Sequence, residues 1–353
     1  MKTVVHVIEA FSGGAVDTIL YLTKGLKQFR HVIVYSIRNE VIDDGKIFKR
    51  FDGEVEFIYW QSAQREISLK KDWQAAVELK NILDNIDFDV LHLHSSKAGF
   101  LGRLVGVLFR SKKIIYTTHG VSFNRQDISS ISKYKYVLLE KIAQMLSGEV
   151  ICCSPSERDT FKNKNIKAKY ICNGVEVSRN GLLVYPQRFT VITTGRVAQQ
   201  KDPVYFNKIA QFFEGKYPIK FVWIGDGDMR HLLTSKNIEI TGWLEKSKVE
   251  EVVKKSSLYI STSLWEGLPY AVLEAMQMGR PLLLRNCVGN VDLVEEGRNG
   301  FLFDTPQGAI QKIQYLLEHH ELIAKLGSNS NQLCGEKFDL KDFLANYEKQ
   351  YAH

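Results

Sequence analysis

Short apolar runs alternate with amphipathic stretches along the first half of the chain. Residues 2–10, KTVVHVIEA, are a mainly apolar run, and residues 16–29, VDTILYLTKGLKQF, carry apolar residues at helical spacing. Short apolar runs are typical of buried strands, whereas apolar positions three and four apart are typical of helices. The same patterns predict strands at HVIVYSIR, VEFIYW, DVLHLHS, KKIIYTTHG, GEVICCS and AKYICNGV, and helices at WQAAVELKNILDNI, 98–109 and 132–146.

The periodicity weakens over residues 176–188, EVSRNGLLVYPQR, and a second alternating series follows. Repeated strand–helix alternation is typical of a doubly wound parallel sheet. We therefore predict an α/β fold with two doubly wound parallel-sheet domains, residues 1–178 and 188–337, that face a central cleft. The second series comprises strands at RFTVITTGR, PIKFVWIGDGD, IEITGW, SSLYISTS, RPLLLRN and GFLF, and helices at 307–319, 321–327 and 338–351.

The composition suits two globular domains in a reducing compartment. The chain has 353 residues, of which 44% are apolar, and this is enough for two cores. No run of eighteen apolar residues occurs, so no transmembrane helix is expected, and the first residues lack the cleavage pattern of a signal peptide. The five cysteines show no C-x-x-C spacing, which favours reduced thiols and a cytoplasmic location.

The net charge of +7 is concentrated in one segment. Residues 97–141 contain nine Lys and Arg residues but only Asp127 and Glu140 as acidic residues, so the excess of this segment equals that of the whole chain. Such a segment predicts an anionic partner, such as a membrane surface, a phosphorylated lipid or a nucleic acid, or else a solvated face that aids solubility. The candidate acceptor-binding or membrane-binding residues are Lys112, Lys113, Lys133 and Lys135.

The most informative stretch is 264–281, LWEGLPYAVLEAMQMGRP. Gly267 permits an irregular turn, and Pro269 suits the start of a helix. Glu266 then lies in the loop and Glu274 within the helix, at the carboxyl edge of a parallel sheet, where α/β proteins bind ligands. Because a helix start favours an anion, two carboxylates beside it could bind the hydroxyl-bearing groups of a nucleotide sugar. The alternative is an ordinary surface turn with two solvated glutamates.

Three other strand ends carry residues suited to binding a sugar diphosphate. The amides of Ser12-Gly13-Gly14, which opens the first predicted helix, could approach a diphosphate, or the segment could be a plain tight turn. Arg196 and Lys201 follow a strand of the second series and could stabilise a leaving phosphate, although surface charge is the alternative. His119 could bind a sugar hydroxyl, or it could simply be packed or solvated.

Two patterns resemble metal sites only superficially. His92 and His94 alternate along one predicted strand, but no third ligand stands at a recognisable spacing. Asp226-Gly227-Asp228 resembles a metal-binding D-x-D motif, yet it lies in a strand-to-helix turn that begins at Ile224-Gly225, which indicates nucleotide-side backbone. We therefore expect no metal and no other cofactor.

Taken together, these motifs resemble those of the retaining GT-B glycosyltransferases of family 4 over nearly the whole chain. The matching segments are GGA, THG, CNGV, GR…K, TGW, EGLPYAVLE and EGRNGFLF. The resemblance implies two Rossmann-like domains, with the donor nucleotide bound mainly by the second domain and the acceptor by the first. It also implies that a terminal helix, 338–353, crosses back to the first domain. The activity implied is hexosyl transfer from a nucleotide-diphosphate sugar to a glycan acceptor.

The resemblance also assigns roles to individual residues. Glu266 would bind hydroxyls of the donor sugar, and Glu274 would bind the ribose hydroxyls. Arg196 and Lys201 would bind the diphosphate and supply the countercharge that makes a metal unnecessary, while His119 would contact the sugar near the reacting centre. Retention is ascribed to attack on the same face of the sugar, so Glu266 is not assigned as a nucleophile. The other implied donor-binding positions are Gly13, Gly14, Gly225, Gly242, Trp243, Gly267 and Leu268.

Two departures from the family pattern leave the donor sugar open. Ala15-Val16-Asp17 follows the glycine pair, where the family often has Glu, and residues 288–292, VGNVD, stand where many members have Gly-Gly before an acidic residue. We predict a UDP-sugar donor and a lipid-linked acceptor of a bacterial capsule or O-antigen pathway, at the inner face of the cytoplasmic membrane, with no nucleic-acid partner. The alternatives are a nucleotide-sugar epimerase on the same fold and a non-catalytic glycan- or nucleotide-binding partner.

Overall fold

The computed structural model describes residues 1–37, 45, 47–64, 66–177 and 188–352. These residues form two compact units. The first unit comprises Met1–Asn124, Ile128–Asn173 and the residues from Lys341 onward, and the second comprises Arg125–Asp127 and Gly174–Leu340. The weakly periodic segment at 176–188 lies almost wholly outside the described residues, and the predicted boundary between the domains, 179–187, lies outside them entirely.

A seven-stranded parallel sheet forms the centre of the first unit. Its elements are β1 (Thr3–Ile8), α1 (Gly14–Gly25), β2 (Arg30–Tyr35), β3 (Glu56–Tyr59), α2 (Leu69–Asp84), β4 (Val90–His94), α3 (Ser96–Gly106), β5 (Lys113–Thr117), α4 (Ser130–Leu146), β6 (Glu149–Cys152), α5 (Pro155–Lys162) and β7 (Lys169–Tyr170). The strand order is β3-β2-β1-β4-β5-β6-β7. Strand β1 is buried along its whole length, as expected of a parallel strand with both faces covered.

The second unit has the same architecture with six parallel strands in the order β10-β9-β8-β11-β12-β13. Its elements are β8 (Thr190–Thr194), α6 (Pro203–Phe213), β9 (Lys220–Ile224), β10 (Ile238–Gly242), α7 (Lys246–Lys254), β11 (Leu258–Ser261), α8 (Tyr270–Gln277), β12 (Leu282–Arg285), β13 (Gly300–Phe303), α9 (Pro306–Glu318) and α10 (Glu321–Lys337). The prediction of two parallel-sheet α/β units is confirmed. Because all strands of each sheet run the same way, the loops that follow them meet at one edge, where ligands bind in such folds.

The last helix, α11 (Leu340–Ala352), packs on the first unit. The Tyr351 hydroxyl lies 2.7 Å from His92 Nδ1, and the Tyr347 hydroxyl lies 2.9 Å from Thr117 Oγ1. Both tyrosines are buried. The hydroxyls therefore tie the end of the chain to β4 and β5.

Two predicted elements were wrong in extent. The segment AKYICNGV contributes only the two residues of β7. Helix α10 was predicted to end at Gly327 but continues to Lys337. Its small residues Gly327 and Ser330 disfavour a helix locally, but they allow close packing against neighbouring elements. A Cβ atom on Gly327 would lie 2.3 Å from Gly279 O, and Ser330 is fully buried. None of the helices among the described residues has both the length and the apolar character needed to cross a membrane.

Candidate functional site

The glycine loops after β8, β9 and β10 are held together at the carboxyl edge of the second sheet. The Gly195 N–H donates to Ile224 O at 2.8 Å, and the Gly225 N–H donates to Gly242 O at 3.0 Å. A Cβ atom on Gly225 would lie 2.1 Å from Gly195 O, and φ at Gly225 is +136°. Glycine is therefore required for this close approach. Trp243, which follows the third loop, is 62% exposed, so its ring can stack on a planar ligand group.

Lys201 and Glu266 form an ion pair beside these loops. Lys201 ends a 3-10 turn, and its Nζ lies 2.7 Å from Glu266 Oε1. The two side chains are only 21% and 9% exposed. Burial opposes the charge of Lys201, but the Glu266 carboxylate outweighs it and raises the pKa of the ammonium group. A Cβ atom on Gly195 would lie 3.0 Å from Lys201 Cε, so the predicted GR…K and EG motifs meet here.

The segment that departs from the family pattern packs on the turn that carries Glu266. The Glu266 N–H donates to Val288 O at 3.2 Å. A Cβ atom on Gly289, where φ is +85°, would lie 2.5 Å from Gly267 O. Leu268 is buried, which fixes the far side of the turn. The residues at 288–289 therefore help to shape the predicted sugar-binding turn.

Glu274 lies in α8, which begins directly after Pro269. Its carboxylate is partly exposed, and Oε1 lies 3.5 Å from Lys246 Nζ at the start of α7. Lys246 was not singled out in the sequence, because it comes from a different βα unit. Glu274 is thus held near the loop after β10, and this loop begins with Trp243.

Arg196 and the Asp226–Asp228 turn lie at the same sheet edge. Arg196 is exposed, consistent with a cation that meets a ligand. Asp226 accepts a hydrogen bond from the Gly227 N–H at 2.8 Å and pairs with Arg230 at 2.8 Å. These contacts give the turn a structural role. The predicted helix after it is only a 3-10 turn, 230–232.

A second ion pair near Lys201 was missed by the sequence reasoning. Asp202 has a left-handed backbone, with φ +47°, and caps α6 by accepting a hydrogen bond from the Tyr205 N–H. Its Oδ2 lies 2.7 Å from Arg285 Nη1, and the Arg285 guanidinium lies 4.0 Å from the centre of the Tyr205 ring. Arg285 comes from β12, so no local spacing could have indicated the pair. It holds the residue after Lys201 in place.

In the first unit, the predicted phosphate turn precedes α1. Gly13 has φ +65°, a conformation that favours glycine, and α1 begins at Gly14. This places the Gly14 amide at a helix N-terminus and at the carboxyl edge of the first sheet. The geometry agrees with a turn that can present backbone N–H groups to an anion.

His119 ends a chain of four histidines that crosses the first sheet. His31 Nδ1 lies 3.0 Å from His6 Nε2, His6 Nδ1 lies 3.1 Å from His94 Nε2, and His94 Nδ1 lies 2.9 Å from His119 Nε2. Adjacent strands supply them, and each histidine stands two residues further toward the carboxyl edge than the last. His119 itself has a left-handed backbone, with φ +51°.

The ends of this histidine chain fix its hydrogen positions. His31 Nε2 lies 3.1 Å from Leu26 O, and a carbonyl only accepts, so this nitrogen carries the hydrogen. A neutral imidazole has one donor and one acceptor, so each remaining histidine in turn donates from Nε2 and accepts at Nδ1. His119 Nδ1 then accepts from the weak donor Cys153 Sγ, 3.7 Å away. Both ring nitrogens of His119 therefore have partners, and the weak Cys153 contact at Nδ1 is the one that a stronger donor could replace.

All four imidazoles are neutral for the same physical reason. Burial lowers the pKa of His6, His31 and His94, and it lowers that of His119 to about 3. Neighbouring imidazoles lower the pKa of His6 and His94 further. His119 can therefore accept a hydrogen bond at neutral pH, but it cannot act as a cation or a general acid there.

We expect imidazole ¹⁵N spectra to show the Nε2–H tautomer for all four histidines of the chain. Their signals should stay unchanged between pH 8 and pH 6.5, because none of them takes up a proton in the folded state over that range. Assignment would use single His→Asn variants of each position. An Nδ1–H signal from His6 or His94 would contradict the hydrogen-bond direction.

His92 and His94 do have a third histidine beside them, contrary to the expectation from spacing. His6 on β1 brings one ring nitrogen to within 4.8 Å of a nitrogen on each of the other two. It was missed because it lies on another strand, 86 residues from His92. However, His92 Nδ1 and Nε2 contact Tyr351 and Thr117, and the His6 and His94 nitrogens form the chain. Hydrogen bonds therefore account for the group.

The basic segment 97–141 is not one continuous charged face. Arg103 is fully buried and pairs with Glu140 at 2.6 Å, and Lys97 pairs with Asp72. Helical geometry also separates the two predicted lysines of α4, because Lys135 is exposed and Lys133 is partly buried. Lys112 and Lys113 lie just before and at the start of β5, at the amino edge of the sheet, and are partly buried.

Comparison with protein families matches both halves of the chain. Residues 12–179 match the model described as Glycosyltransferase Family 4, and residues 188–319 match the model described as Glycosyl transferases group 1. Together the two matches span most of the chain, in the order that the sequence motifs predicted.

Individual relatives and structures agree with these matches. The UDP-Gal:α-D-GlcNAc-diphosphoundecaprenol α-1,3-galactosyltransferase of Escherichia coli is 28% identical over 290 residues, 74% of each chain. The capsular polysaccharide biosynthesis glycosyltransferase CapM of Staphylococcus aureus is 21% identical over 350 residues, 88% of each chain. The crystal structure of Anabaena HepE with UDP and glucose superposes with a TM-score of 0.79 over 100% of both chains, at 17% identity. The chain has the GT-B fold, is an enzyme of the hexosyltransferase type, and belongs to the group 1, family 4 glycosyltransferases.

Proposed function

We propose that the enzyme transfers a hexose from a UDP-sugar to a lipid-linked saccharide during synthesis of a bacterial surface polysaccharide, with retention of configuration and without a metal. The similar E. coli protein is named for a UDP-galactose donor and a diphosphoundecaprenol-linked acceptor, and the similar S. aureus protein for capsule synthesis. A lipid-linked acceptor would require the enzyme to work at the inner face of the cytoplasmic membrane. The fold neighbour HepE holds UDP and glucose.

The observation that carries this proposal is the contact between Lys201 and Glu266 beside the Gly195 loop. The Lys201 ammonium group and the Glu266 carboxylate lie 2.7 Å apart and are largely shielded from water. The cation suits the negatively charged diphosphate of a sugar diphosphate, and the carboxylate suits the hydroxyls of its sugar. In the proposed complex Lys201 and Arg196 bind the diphosphate oxygens, and Glu266 accepts hydrogen bonds from sugar hydroxyls. The amides of Gly267 and Leu268 lie next to that carboxylate and would face the sugar or the phosphate.

The proposed reaction follows from these roles. As the sugar–phosphate bond breaks, negative charge grows on the leaving phosphate, and preorganised cations stabilise it. The acceptor hydroxyl attacks the sugar from the same face, and its proton passes to a leaving phosphate oxygen. Since Lys201 and Arg196 supply the countercharge, no metal takes part. His119 Nδ1 accepts a hydrogen bond from a sugar hydroxyl, which replaces its weak contact with Cys153 Sγ.

Screening nucleotide sugars for protection against thermal unfolding would identify the donor, because a ligand that binds only the folded state raises apparent stability. Product analysis with that donor then separates the candidate functions. Sugar transfer that requires an added lipid-linked acceptor supports the proposal. Interconversion of the donor without an acceptor would indicate an epimerase, and binding without turnover would indicate a non-catalytic partner.

Glu274→Ala is expected to weaken UDP binding about tenfold to a hundredfold, since a hydrogen bond to a charged group contributes roughly 1.5–3 kcal/mol. Titration calorimetry with UDP measures this directly. Glu250→Ala, which removes a carboxylate of α7 that pairs with Lys254, is the matched control. Unchanged UDP affinity in Glu274→Ala would remove Glu274 from the nucleotide site.

A further inference from the structure

Exposed large apolar side chains are concentrated on one helical layer of the first unit. Helix α3 packs between α2 and α4, and all three carry such residues on their outer sides. Helix α4 alone carries six, whereas the described part of the second unit carries four. The six are Ile131, Tyr134, Leu138, Ile142, Met145 and Leu146. A concentration of exposed apolar side chains of this kind on a globular protein indicates a docking surface.

The α4 residues form a single stripe with lysines at its margins. At about 100° per residue, the apolar positions from Ile131 to Met145 fall within one side of the helix. Lys135 lies at one margin of this stripe and Lys141 at the other, and both are exposed. In contrast, only Glu140 and Ala143 of this 17-residue helix are buried. An apolar stripe between basic margins is typical of a helix that lies in a membrane interface.

A basic groove adjoins the end of this stripe. Its volume is about 610 Å³, and its lining includes Arg110, Lys112, Lys113 and Met145. Glu149 also lines it and pairs with Lys113 at 3.4 Å and with Lys169 at 2.9 Å. Lys112 also lies 3.5 Å from the exposed carboxylate of Asp87. Three cations and one carboxylate line the groove, so its lining carries a net positive charge. Helix α4 leads from the carboxyl edge of the sheet to β6, so the groove lies at the opposite edge from His119.

We propose that the outer face of α4 docks on an anionic phospholipid bilayer. The apolar stripe enters the interface, Lys135 and Lys141 contact lipid phosphates, and the groove of Arg110, Lys112 and Lys113 receives an anionic headgroup. Each lysine or arginine near an anionic membrane surface strengthens binding by roughly 1 kcal/mol. This inference deepens the proposed function, because it names the surface that would bring the enzyme to a lipid-linked acceptor.

Sedimentation with lipid vesicles tests the proposal on the whole chain. The protein should be retained at low salt by vesicles that contain phosphatidylglycerol, and about tenfold or more weakly by pure phosphatidylcholine vesicles. Lys135→Glu/Lys141→Glu and, separately, Leu138→Ser/Ile142→Ser should each reduce retention at least about tenfold. Lys248→Glu/Lys254→Glu on α7 makes the same charge change in the second unit and should leave retention nearly unaltered. Calorimetry with UDP should give the same affinity for all variants, which separates this surface from the donor site.

Three results would overturn the proposal. The wild-type protein could fail to bind anionic vesicles, or the α7 control could lose as much binding as the α4 charge variant. Retention that depends on charge alone and is unaffected by Leu138→Ser/Ile142→Ser would exclude insertion of the stripe. Light scattering provides a further check. A wild-type dimer that becomes monomeric in Leu138→Ser/Ile142→Ser would show that a second copy of the protein, and not a membrane, covers the outer face of α4.

Discussion

Lowering the pH from 7 to 5.5 is expected to unfold the first unit before the second unit. The physical reason is that burial lowers the pKa of a group of histidines in the first sheet. The remaining titratable groups that face them are neutral tyrosines of α11, the thiol of Cys153 and the buried carboxylate of Glu157, which accepts from the Cys153 N–H. The histidines are His6, His31, His92, His94 and His119.

The sign of this effect follows from proton uptake. A histidine of the unfolded chain takes up a proton near pH 6.5, whereas His6, His92, His94 and His119 remain neutral in the folded state well below that pH. The pKa of His31 is also lowered. Their contribution to the free energy of unfolding is therefore complete above about pH 6.5 and is lost as the pH falls toward the lowered pKa values. Each of the four most strongly shifted histidines contributes about 1.4 kcal/mol per pH unit, and the four together contribute about 5.5 kcal/mol per pH unit. This is comparable with the whole stability of a domain, roughly 5–15 kcal/mol.

Hydrogen exchange measured by mass spectrometry can follow the two units separately. Peptides of β1 and β4 should lose protection between pH 6.5 and 5.5, after correction for the intrinsic exchange rate. Peptides of β8 and β9 serve as the internal control, because His231, His319 and His320 of that unit are not buried. The single variant His119→Asn should reduce the pH slope by about 1.4 kcal/mol per unit. Equal protection of both units down to pH 5.5 would contradict the prediction.

The sequence was sufficient for what depends on local pattern. Alternating apolar runs predicted two parallel sheets, and the turn at 266–269 predicted both the start of α8 and the loop position of Glu266. The pairing of Lys201 with Glu266 could be expected only through the family resemblance, since the residues are 65 positions apart. The second half of α10 was missed because Gly327 and Ser330 disfavour a helix locally and are explained by close packing.

What depends on neighbouring strands could not be predicted from one sequence. His6, His31 and His94 form a chain because of the strand order β2-β1-β4, which no local spacing encodes. The same limit applies to the basic segment. The charge count of the segment included Arg103 as if it were exposed. Helix packing instead places Arg103 in the interior, where it pairs with Glu140. Charge counts therefore indicated the region of the proposed docking surface, while the fold determines which of its lysines are exposed.

Glu266→Gln and Lys201→Gln are each expected to lower kcat about a hundredfold to a thousandfold. Removing a preorganised group that faces developing charge has an effect of this size. Arg196→Ala should act similarly, because it removes the second proposed cation. A steady-state assay with the donor found by screening measures the effect, and thermal unfolding reports stability in parallel. Lys248→Ala, on exposed α7, is the control that should keep full activity.

The double variant Lys201→Gln/Glu266→Gln distinguishes a catalytic pair from a structural one. Each single variant leaves a largely buried charge without its partner, which costs roughly 3–5 kcal/mol of stability. Removing both charges should restore most of that stability, because neither is then unpaired. The kcat of the double variant should stay as low as that of the less active single variant, because the effects of mutating residues that act as a unit are not additive. Recovery of turnover together with stability would mean that the ion pair only holds the loop after β8 against the turn after β11.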